Sequence, residues 1–194
     1  MKNILILITI ILCFFAGKEY LFANELEVPV INQIQFLKKI LSVEKKLLAS
    51  KDKEIKIGII YQSDNKVSKK TAEDFKTAIN GTPLKAGDKT FNFFLIDIKN
   101  AKDVINILEN NTTNIDALVI TQMRNIDYKL ISNYSVDNSI LTFATSEKVL
   151  LNNRFSLGVG YKGNNVQLLF NPKQIAAEGY NFPALVFERA KKVE

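Results

Sequence analysis

The stretch Ile55-Lys56-Ile57-Gly58-Ile59-Ile60-Tyr61 decides the fold class of this chain. Its high isoleucine content is typical of a β-strand. The polar residues Gln62-Ser63-Asp64 follow it directly, and beyond them apolar side chains recur at helical spacing, at Ala72, Phe75, Ala78 and Ile79. A strand that leads at once into an amphipathic helix predicts one strand–helix unit of a parallel sheet.

The same alternation of helix and strand signals extends through the chain on both sides of this stretch. Helices are predicted over residues 31–41, 126–134 and 183–193. Further helices are predicted to begin at the N-caps Ser68, Asn100, Ser146 and Asn171. Strands are predicted over 91–98, 115–121, 140–145, 156–162 and 165–171. Gly163-Asn164 indicates a tight hairpin between the last two strands. We therefore expect an α/β protein, a three-layer α/β/α sandwich. Its mostly parallel sheet should have flavodoxin-like strand order, with the antiparallel C-terminal hairpin at one edge.

Residues 1–23 have the pattern of a signal peptide. Lys2 gives a positive start, 4–15 is an almost unbroken apolar run, and cleavage is expected after Ala23. The run is shorter than the roughly 20 residues that span a bilayer. Two alternatives stay open, a lipid anchor at Cys13 and an uncleaved leader that holds the protein at the membrane. We expect export to the periplasm and a single α/β domain over residues 24–194.

The side chains of the mature chain exclude several kinds of site. The protein has no histidine, and its one cysteine, Cys13, lies in the leader. Zinc, copper and iron sites draw mainly on His and Cys, so we expect neither a metal nor a cofactor. Only a lysine could activate a nucleophile, and Ser68-Lys69 lacks the Ser-x-x-Lys spacing that places both groups on one helix face. Binding without catalysis is therefore expected.

Two further patterns bear on nucleotides and nucleic acids. The net charge is +6, but the lysines alternate with acidic residues along the chain. A nucleic-acid partner is not expected, because such proteins gather basic residues on one face. Gly158-Val159-Gly160 lies inside a predicted strand and opens no helix, so it predicts close backbone packing or a β-bulge and not a phosphate loop.

Polar residues follow three of the predicted strands. Gln62 and Ser63 follow the first, Gln122 and Arg124 the third, and Ser146 the fourth. Because the carboxyl ends of parallel strands share one edge of the sheet, we expect these five residues to form a ligand site there. Helix N-termini offer N–H groups at this edge, and an arginine fork can hold a carboxylate or a phosphate. Three acids near the same edge are candidates for carboxylate chemistry or solvated turn residues: Asp64, Asp97 and Asp127.

The C-terminal third resembles the YfiR family of periplasmic proteins. The resemblance rests on Ser139-Ile140-Leu141-Thr142, Gly158-Val159 and Leu168-Leu169-Phe170-Asn171, together with Gly179, Phe182 and Ala190. It implies structural roles for Asn171, Gly179, Phe182 and Ala190, and no catalytic residue. It also implies a non-enzymatic regulator that represses an inner-membrane diguanylate cyclase and so affects cyclic-di-GMP signalling and biofilm formation.

Three functions follow as hypotheses. In the first, implied by the resemblance, the protein docks on the periplasmic part of an inner-membrane signalling protein, a diguanylate cyclase or a sensor kinase, and acts as a homodimer. In the second it binds a small molecule, of a class that the sequence leaves unknown, and serves a transporter. The third, a carboxylate-based hydrolase, is the least favoured because imidazole and thiol groups are missing.

Overall fold

The computed structural model describes residues 28–80, 84–99, 101–188 and 190–193. The predicted leader, with Cys13 and Ala23, and the predicted N-cap Asn100 lie outside these residues. No helix in the described ranges is both long and apolar enough to cross a bilayer.

Helices and strands alternate along the chain as the sequence predicts. The helices are α1 Val30–Leu41, α2 Lys45–Ala49, α3 Lys66–Ile79, α4 Val104–Asn111, α5 Tyr128–Asp137, α6 Glu147–Asn153 and α7 Pro172–Ala177, with 3-10 turns at Ala101–Asp103 and Ala184–Phe187. The strands are β1 Glu54–Tyr61, β2 Lys85–Ala86, β3 Lys89–Asp97, β4 Ala117–Ile120, β5 Leu141–Ala144, β6 Leu157–Lys162, β7 Asn165–Phe170 and β8 Lys191–Lys192.

All described strands form one sheet in the order β2-β3-β1-β4-β5-β6-β7-β8. The five strands β3-β1-β4-β5-β6 are parallel and have the flavodoxin-like order, which confirms the predicted fold class. β6 and β7 form the predicted antiparallel hairpin, although β8 lies outside it and pairs in parallel with β7.

Apolar side chains fill both faces of the sheet, which makes the structure three-layered. One face packs under α1 and α3, with Leu37 and Phe75 fully buried. The other packs under α4, α5 and α6, with Leu108, Ile131 and Leu150 buried. Because β4 is buried along its whole length, its sequence is the apolar run Ala-Leu-Val-Ile.

The predicted helix over 183–193 is wrong. The chain forms a short 3-10 turn and then the strand β8, so that the Val193 N–H donates to the Phe170 carbonyl at 2.8 Å. Phe187 stacks on Phe170 with ring centroids 4.2 Å apart. This contact and the pairing with β7 outweigh the helical spacing of the apolar residues, because they satisfy an otherwise open sheet edge.

Two local predictions have opposite outcomes. Ser68 is not the N-cap of α3, because α3 begins at Lys66 and Asn65 accepts from the N–H groups of Val67 and Ser68. The close packing predicted at Gly158 and Gly160 is confirmed. A Cβ on Gly160 would lie 2.6 Å from Glu147 Oε2, and one on Gly158 would lie 3.1 Å from the Ala144 carbonyl.

Candidate functional site

The carboxyl ends of the parallel strands form one edge, here called the carboxyl edge. All five predicted ligand residues lie there, but they fall into two groups. Gln62, Ser63 and Arg124 lie around the ends of β1, β3 and β4. Gln122 and Ser146 lie around the ends of β4 and β5, where they line an open cleft.

Hydrogen bonds close the first group against itself. Gln62 is buried, and its side-chain Oε1 accepts from the backbone N–H of Arg124 at 2.8 Å. The backbone N–H of Gln62 donates to Ser68 Oγ at 2.8 Å. Ser68 Oγ lies 2.6 Å from Thr121 Oγ1, whose hydroxyl donates to the Ile60 carbonyl. Gln62 therefore joins the ends of β1 and β4, a structural role that its position after a strand did not indicate.

Ser63 and Arg124 also contribute backbone groups to this region. The N–H of Ser63 donates to Asp97 Oδ1 at 3.0 Å, so this carboxylate holds the loop after β1. The Arg124 side chain is exposed, and the bond to Gln62 uses only its backbone. The guanidinium fork that we expected to hold an anion lies outside the cleft lining, and its role stays a prediction.

The second group belongs to a cleft that we call the edge cleft. It has a volume of about 140 Å³ and lies between the start of α1, one face of α3 and the loops after β4 and β5. Its lining residues are Val28, Pro29, Val30, Gln33, Lys70, Thr71, Asp74, Gln122, Thr145 and Ser146. The edge cleft thus joins two sequence-predicted residues to a first helix that sequence analysis did not connect with the site.

Local bonds fix the two predicted residues in the edge cleft. Ser146 is the N-cap of α6, as predicted, and its Oγ accepts from the Val149 N–H at 3.3 Å. The Gln122 carbonyl accepts from Asn65 Nδ2 at 3.3 Å. The Tyr128 hydroxyl accepts from the next N–H, that of Met123, at 2.5 Å. Burial raises the pKa of Tyr128 to about 12, so the phenol stays protonated and holds this loop.

The start of α1 forms one wall of the edge cleft. Pro29 is the N-cap and provides no side-chain hydrogen bond, and the first turn of α1 contains no acidic residue. The N–H groups of Asn32 and Gln33 both donate to the Pro29 carbonyl. This wall therefore carries the positive end of a 12-residue helix whose first turn contains no acidic residue.

Gln33 is the residue of the edge cleft that sequence analysis missed. It is 2% exposed, and its Nε2 donates to the Val28 carbonyl at 2.7 Å. Its Oε1 is buried and has no hydrogen-bond partner in the part of the chain that the structure describes. Gln33 lies four residues before Leu37 and seven before Ile40, so the helical spacing places it on the inner face of α1 with them. Ile31 is 51% exposed. A pattern read from apolar residues alone passes over a polar residue on that face.

A second, larger groove lies at the opposite, amino-terminal edge of the sheet, between α4 and α5. It has a volume of about 690 Å³, and its lining includes Glu109, Thr112, Asn114, Tyr134 and Asp137. Thr112 Oγ1 and the Tyr134 hydroxyl lie 2.7 Å apart and satisfy each other. This groove contains no buried polar atom that lacks a partner among the described residues, so the edge cleft is the better candidate.

The four residues implied by the family resemblance lie outside the lining of the edge cleft. Asn171 caps α7 and accepts from the N–H groups of Lys173 and Gln174. Gly179 has a φ of +79° after α7, a conformation that suits glycine. Phe182 is buried with its ring centroid 5.8 Å from that of Phe187, and Ala190 packs against the same core. Each is placed where it supports the C-terminal part of the fold.

No protein-family model matches the chain, and no curated protein matches its sequence. Three solved structures are similar in fold. The ligand-free, open form of a substrate-binding protein with adhesive properties from Clostridium difficile has a TM-score of 0.64 at 14% identity, over 86% of this chain and 60% of its own. The "ABC domain in complex with L-Trp" from Streptococcus pneumonia has a TM-score of 0.61 at 14% identity, over 86% and 62% of the two chains.

The third similar structure is a conserved domain protein from Vibrio cholerae O1 biovar El Tor. Its TM-score is 0.62 at 12% identity, and the match covers 88% of this chain and 61% of that one. The chain therefore spans about three fifths of the length of each of these proteins. At such low identity the likeness establishes a shared α/β fold.

Proposed function

We propose that this protein binds a small molecule in the edge cleft and does not alter it chemically. The observation that carries the proposal is the position of the cleft. It opens beyond the carboxyl ends of β4 and β5, where open α/β sheets bind their ligands. Two of the similar structures support it, since one is a substrate-binding protein and the other contains L-Trp.

The openness of the cleft bears on how such a ligand would be held. Binding proteins that capture a ligand by closure use two lobes around a cleft. The described residues build a single sheet with its helices, and among them the edge cleft is open on one side. We infer that the protein holds the inner part of its ligand and leaves the outer part to solvent or to a second macromolecule.

A matched pair of threonines tests the proposed site. Thr71 and Thr77 lie on α3, and each hydroxyl donates to the carbonyl four residues earlier, but only Thr71 lines the edge cleft. Thr71→Phe fills the cleft, and Thr77→Phe places the same ring on the exposed side of the helix. A thermal-shift screen with free amino acids, nucleotides and inorganic anions should identify one class that raises the unfolding midpoint.

The expected result is a shift in the wild type and in Thr77→Phe that disappears in Thr71→Phe. Gln122→Leu, a second change in the cleft lining, should weaken the shift and guards against misfolding of the first variant. A ligand shift of wild-type size in both cleft variants, or no shift with any compound, contradicts the proposal.

A second candidate function is the docking on a membrane signalling protein that the YfiR resemblance implies. One observation favours it: Ile31, at the start of α1 beside the edge cleft, is 51% exposed. A partner that covers Ile31 would also cover a bound ligand. The ligand would then contact the partner in the docked state and not in the undocked state, and this difference would shift the docking equilibrium. Deleting the gene and measuring cyclic-di-GMP tests this candidate, and an unchanged level counts against it.

The expected site of action is the periplasm, in keeping with the predicted leader over residues 1–23. Fractionation of cells that express the full chain checks this, with the mature protein expected in the periplasmic fraction and shortened by the leader. Retention of the full-length chain in the membrane fraction would instead favour the uncleaved or lipid-anchored alternatives.

A further inference from the structure

We propose that the edge cleft recognises a compact zwitterion, whose ammonium group donates to Gln33 Oε1 and whose carboxylate lies at the N-terminus of α1. This inference rests on the proposed function and names the ligand class of the same site. It is carried by a buried amide oxygen without a partner among the described residues, by the acceptor groups that line the same cleft, and by a helix start whose N-cap provides no side-chain hydrogen bond.

The orientation of the Gln33 amide is fixed by its neighbour. Because the Val28 carbonyl is an acceptor, the amide must present Nε2 to it, at 2.7 Å, and Oε1 is left on the other side. A buried acceptor without a donor destabilises the folded state. Since Gln33 lines the edge cleft, a ligand whose N–H donor reaches Oε1 from the cleft would remove this penalty.

The other side chains around the cleft also favour an ammonium group. The Thr71 hydroxyl donates its one proton to the Val67 carbonyl at 3.0 Å, so toward the cleft its oxygen can only accept. Asp74, one turn further along α3, lines the cleft as a carboxylate. Gln33, Thr71 and Asp74 thus supply three acceptors around one cleft, and a primary ammonium group has three N–H donors.

The start of α1 favours an anion, in contrast to the acceptors that favour an ammonium group. The first N–H groups of a helix have no intrahelical acceptor, and the end of the helix dipole there is positive. Pro29 offers no side-chain cap, and the first turn has no acid that could take the place of an anion. Lys70 also lines the cleft, at its rim, where its Nζ lies 2.6 Å from Asp74 Oδ2. A carboxylate would therefore be stabilised beside Pro29 and Val30.

The size of the cleft limits what is recognised. About 140 Å³ is below the several hundred Å³ typical of pockets that enclose a whole drug-sized ligand. The cleft can therefore enclose the charged head of the ligand, and larger substituents extend through its open side. We infer that the protein selects the zwitterionic head more strongly than the group attached to it.

A pair of probes tests this inference on the wild-type protein alone. Glycine carries an ammonium group with three N–H donors, and N,N,N-trimethylglycine has the same two charges without an N–H. Isothermal titration calorimetry should detect glycine binding and find trimethylglycine at least tenfold weaker. Equal responses to both probes would overturn the inference, because they would mean that the site does not distinguish a ligand with N–H donors from one without them.

A matched pair of glutamines then assigns the effect to Gln33. Gln33→Met keeps the length of the side chain and removes the acceptor, while Gln35→Met makes the same change at an exposed position of α1. We expect at least a tenfold loss of glycine affinity in Gln33→Met and none in Gln35→Met. Unchanged affinity in a folded Gln33→Met, judged by circular dichroism, would overturn the assignment.

The outcome also separates this inference from the proposed function. If a nucleotide or an inorganic anion binds in a way that Thr71→Phe abolishes, and glycine does not bind, the small-molecule site stands and the zwitterion is wrong. If glycine binds equally well to wild type and Thr71→Phe, the edge cleft is not its site, and both proposals fail.

Discussion

Two buried polar side chains, at opposite edges of the sheet, differ in how well their hydrogen bonds are satisfied. Gln33, at the carboxyl edge, has an acceptor without a partner among the described residues. Glu178, beyond α7 at the amino-terminal edge, accepts from three donors at Oε1 and two at Oε2; these donors belong to Ser135, Thr142, Ser156 and Gln174.

The Glu178 carboxylate connects four elements of the fold. The shortest bonds come from Ser156 Oγ at 2.5 Å, next to β6, and from Thr142 Oγ1 at 2.7 Å, in β5. Gln174 of α7 and Ser135 of α5 complete the set. Each donor is used, so this cluster has no capacity for a ligand and its role is structural.

The protonation of Glu178 follows from the same geometry. Burial raises the pKa of Glu178, and its hydrogen bonds from Ser156, Thr142 and Gln174 offset only part of this effect. The Ser135 hydroxyl has one proton and two acceptors, the Ser132 carbonyl at 2.7 Å and Glu178 Oε1 at 3.0 Å. A protonated Glu178 could donate to Ser135 Oγ and satisfy both, which agrees with the direction of the shift.

The comparison teaches that burial alone does not identify a functional polar group. Glu178 is titratable and fully buried, and both oxygens of its carboxyl group have hydrogen-bond partners. Gln33 is neutral and also buried, it lines a cleft, and its Oε1 has no partner among the described residues. The predictions below test whether the first residue matters for stability and the second for binding.

The largest effect is expected from Glu178→Ala. It removes the acceptor that five buried donors share, and among the described residues only the donors of Ser135 and Gln174 keep a second acceptor, at Ser132. A loss of about 3 kcal/mol or more in the free energy of unfolding should follow. Urea denaturation measures it. Glu178→Gln is the control and should lose much less, since the amide keeps the volume and one acceptor. Equal stability of Glu178→Ala and the wild type would remove Glu178 from its structural role.

The next effect concerns pH. The pKa of Glu178 is raised in the folded state, so its contribution is fully present below the unfolded pKa and is lost as pH rises through the folded pKa. Between the two values the wild type should lose about 1.4 kcal/mol per pH unit relative to Glu178→Gln. Urea denaturation of both proteins from acid to neutral pH checks this. Parallel stability curves would show that Glu178 titrates normally.

A smaller loss is expected from Tyr180→Phe, also at the amino-terminal edge. The Tyr180 hydroxyl lies 2.8 Å from the Asp116 carbonyl and 3.1 Å from the Ser139 carbonyl, so it joins the segments that enter β4 and β5. Removing it should cost about 1 kcal/mol. Thermal unfolding measures the change. Tyr134→Phe on α5 gives a reference for a half-buried hydroxyl, the one that lies 2.7 Å from Thr112 Oγ1.

The smallest effect on stability is expected from Gln33→Met without ligand. The change removes the bond from Nε2 to the Val28 carbonyl and also removes the unsatisfied Oε1, so the two effects oppose each other within about 1 kcal/mol. Differential scanning calorimetry of the ligand-free protein checks it. A loss as large as that of Glu178→Ala would mean that Gln33 is a structural residue like Glu178.

Much of the fold could be predicted because buried parallel strands need continuous apolar runs. Ile55–Tyr61 and the run at 117–120 satisfy that need within a few residues, and the turn at Gly163-Asn164 fixes the hairpin locally. The segment 183–193 could not be predicted in the same way. Its strand β8 exists only because β7 has an open edge nearby, a condition set by residues far away in sequence.

Part of the candidate site could be predicted from the sequence and part could not. The chain order of strands and polar loops placed Gln122 and Ser146 at the carboxyl edge, because parallel strands necessarily end together. Helical spacing places Gln33 on the inner face of α1, but only the packing of α1 beside the loops after β4 and β5 brings it to the cleft that Gln122 and Ser146 line.

By itself, the sequence determined the strand–helix alternation, the parallel sheet and the edge at which its polar loops meet, since each depends on local periodicity and on the geometry of parallel strands. The tertiary structure alone decided which polar atoms are satisfied. Five donors from four segments meet at Glu178, and none of the described donors reaches Gln33 Oε1, because hydrogen bonds between distant segments depend on packing distances that no local pattern encodes.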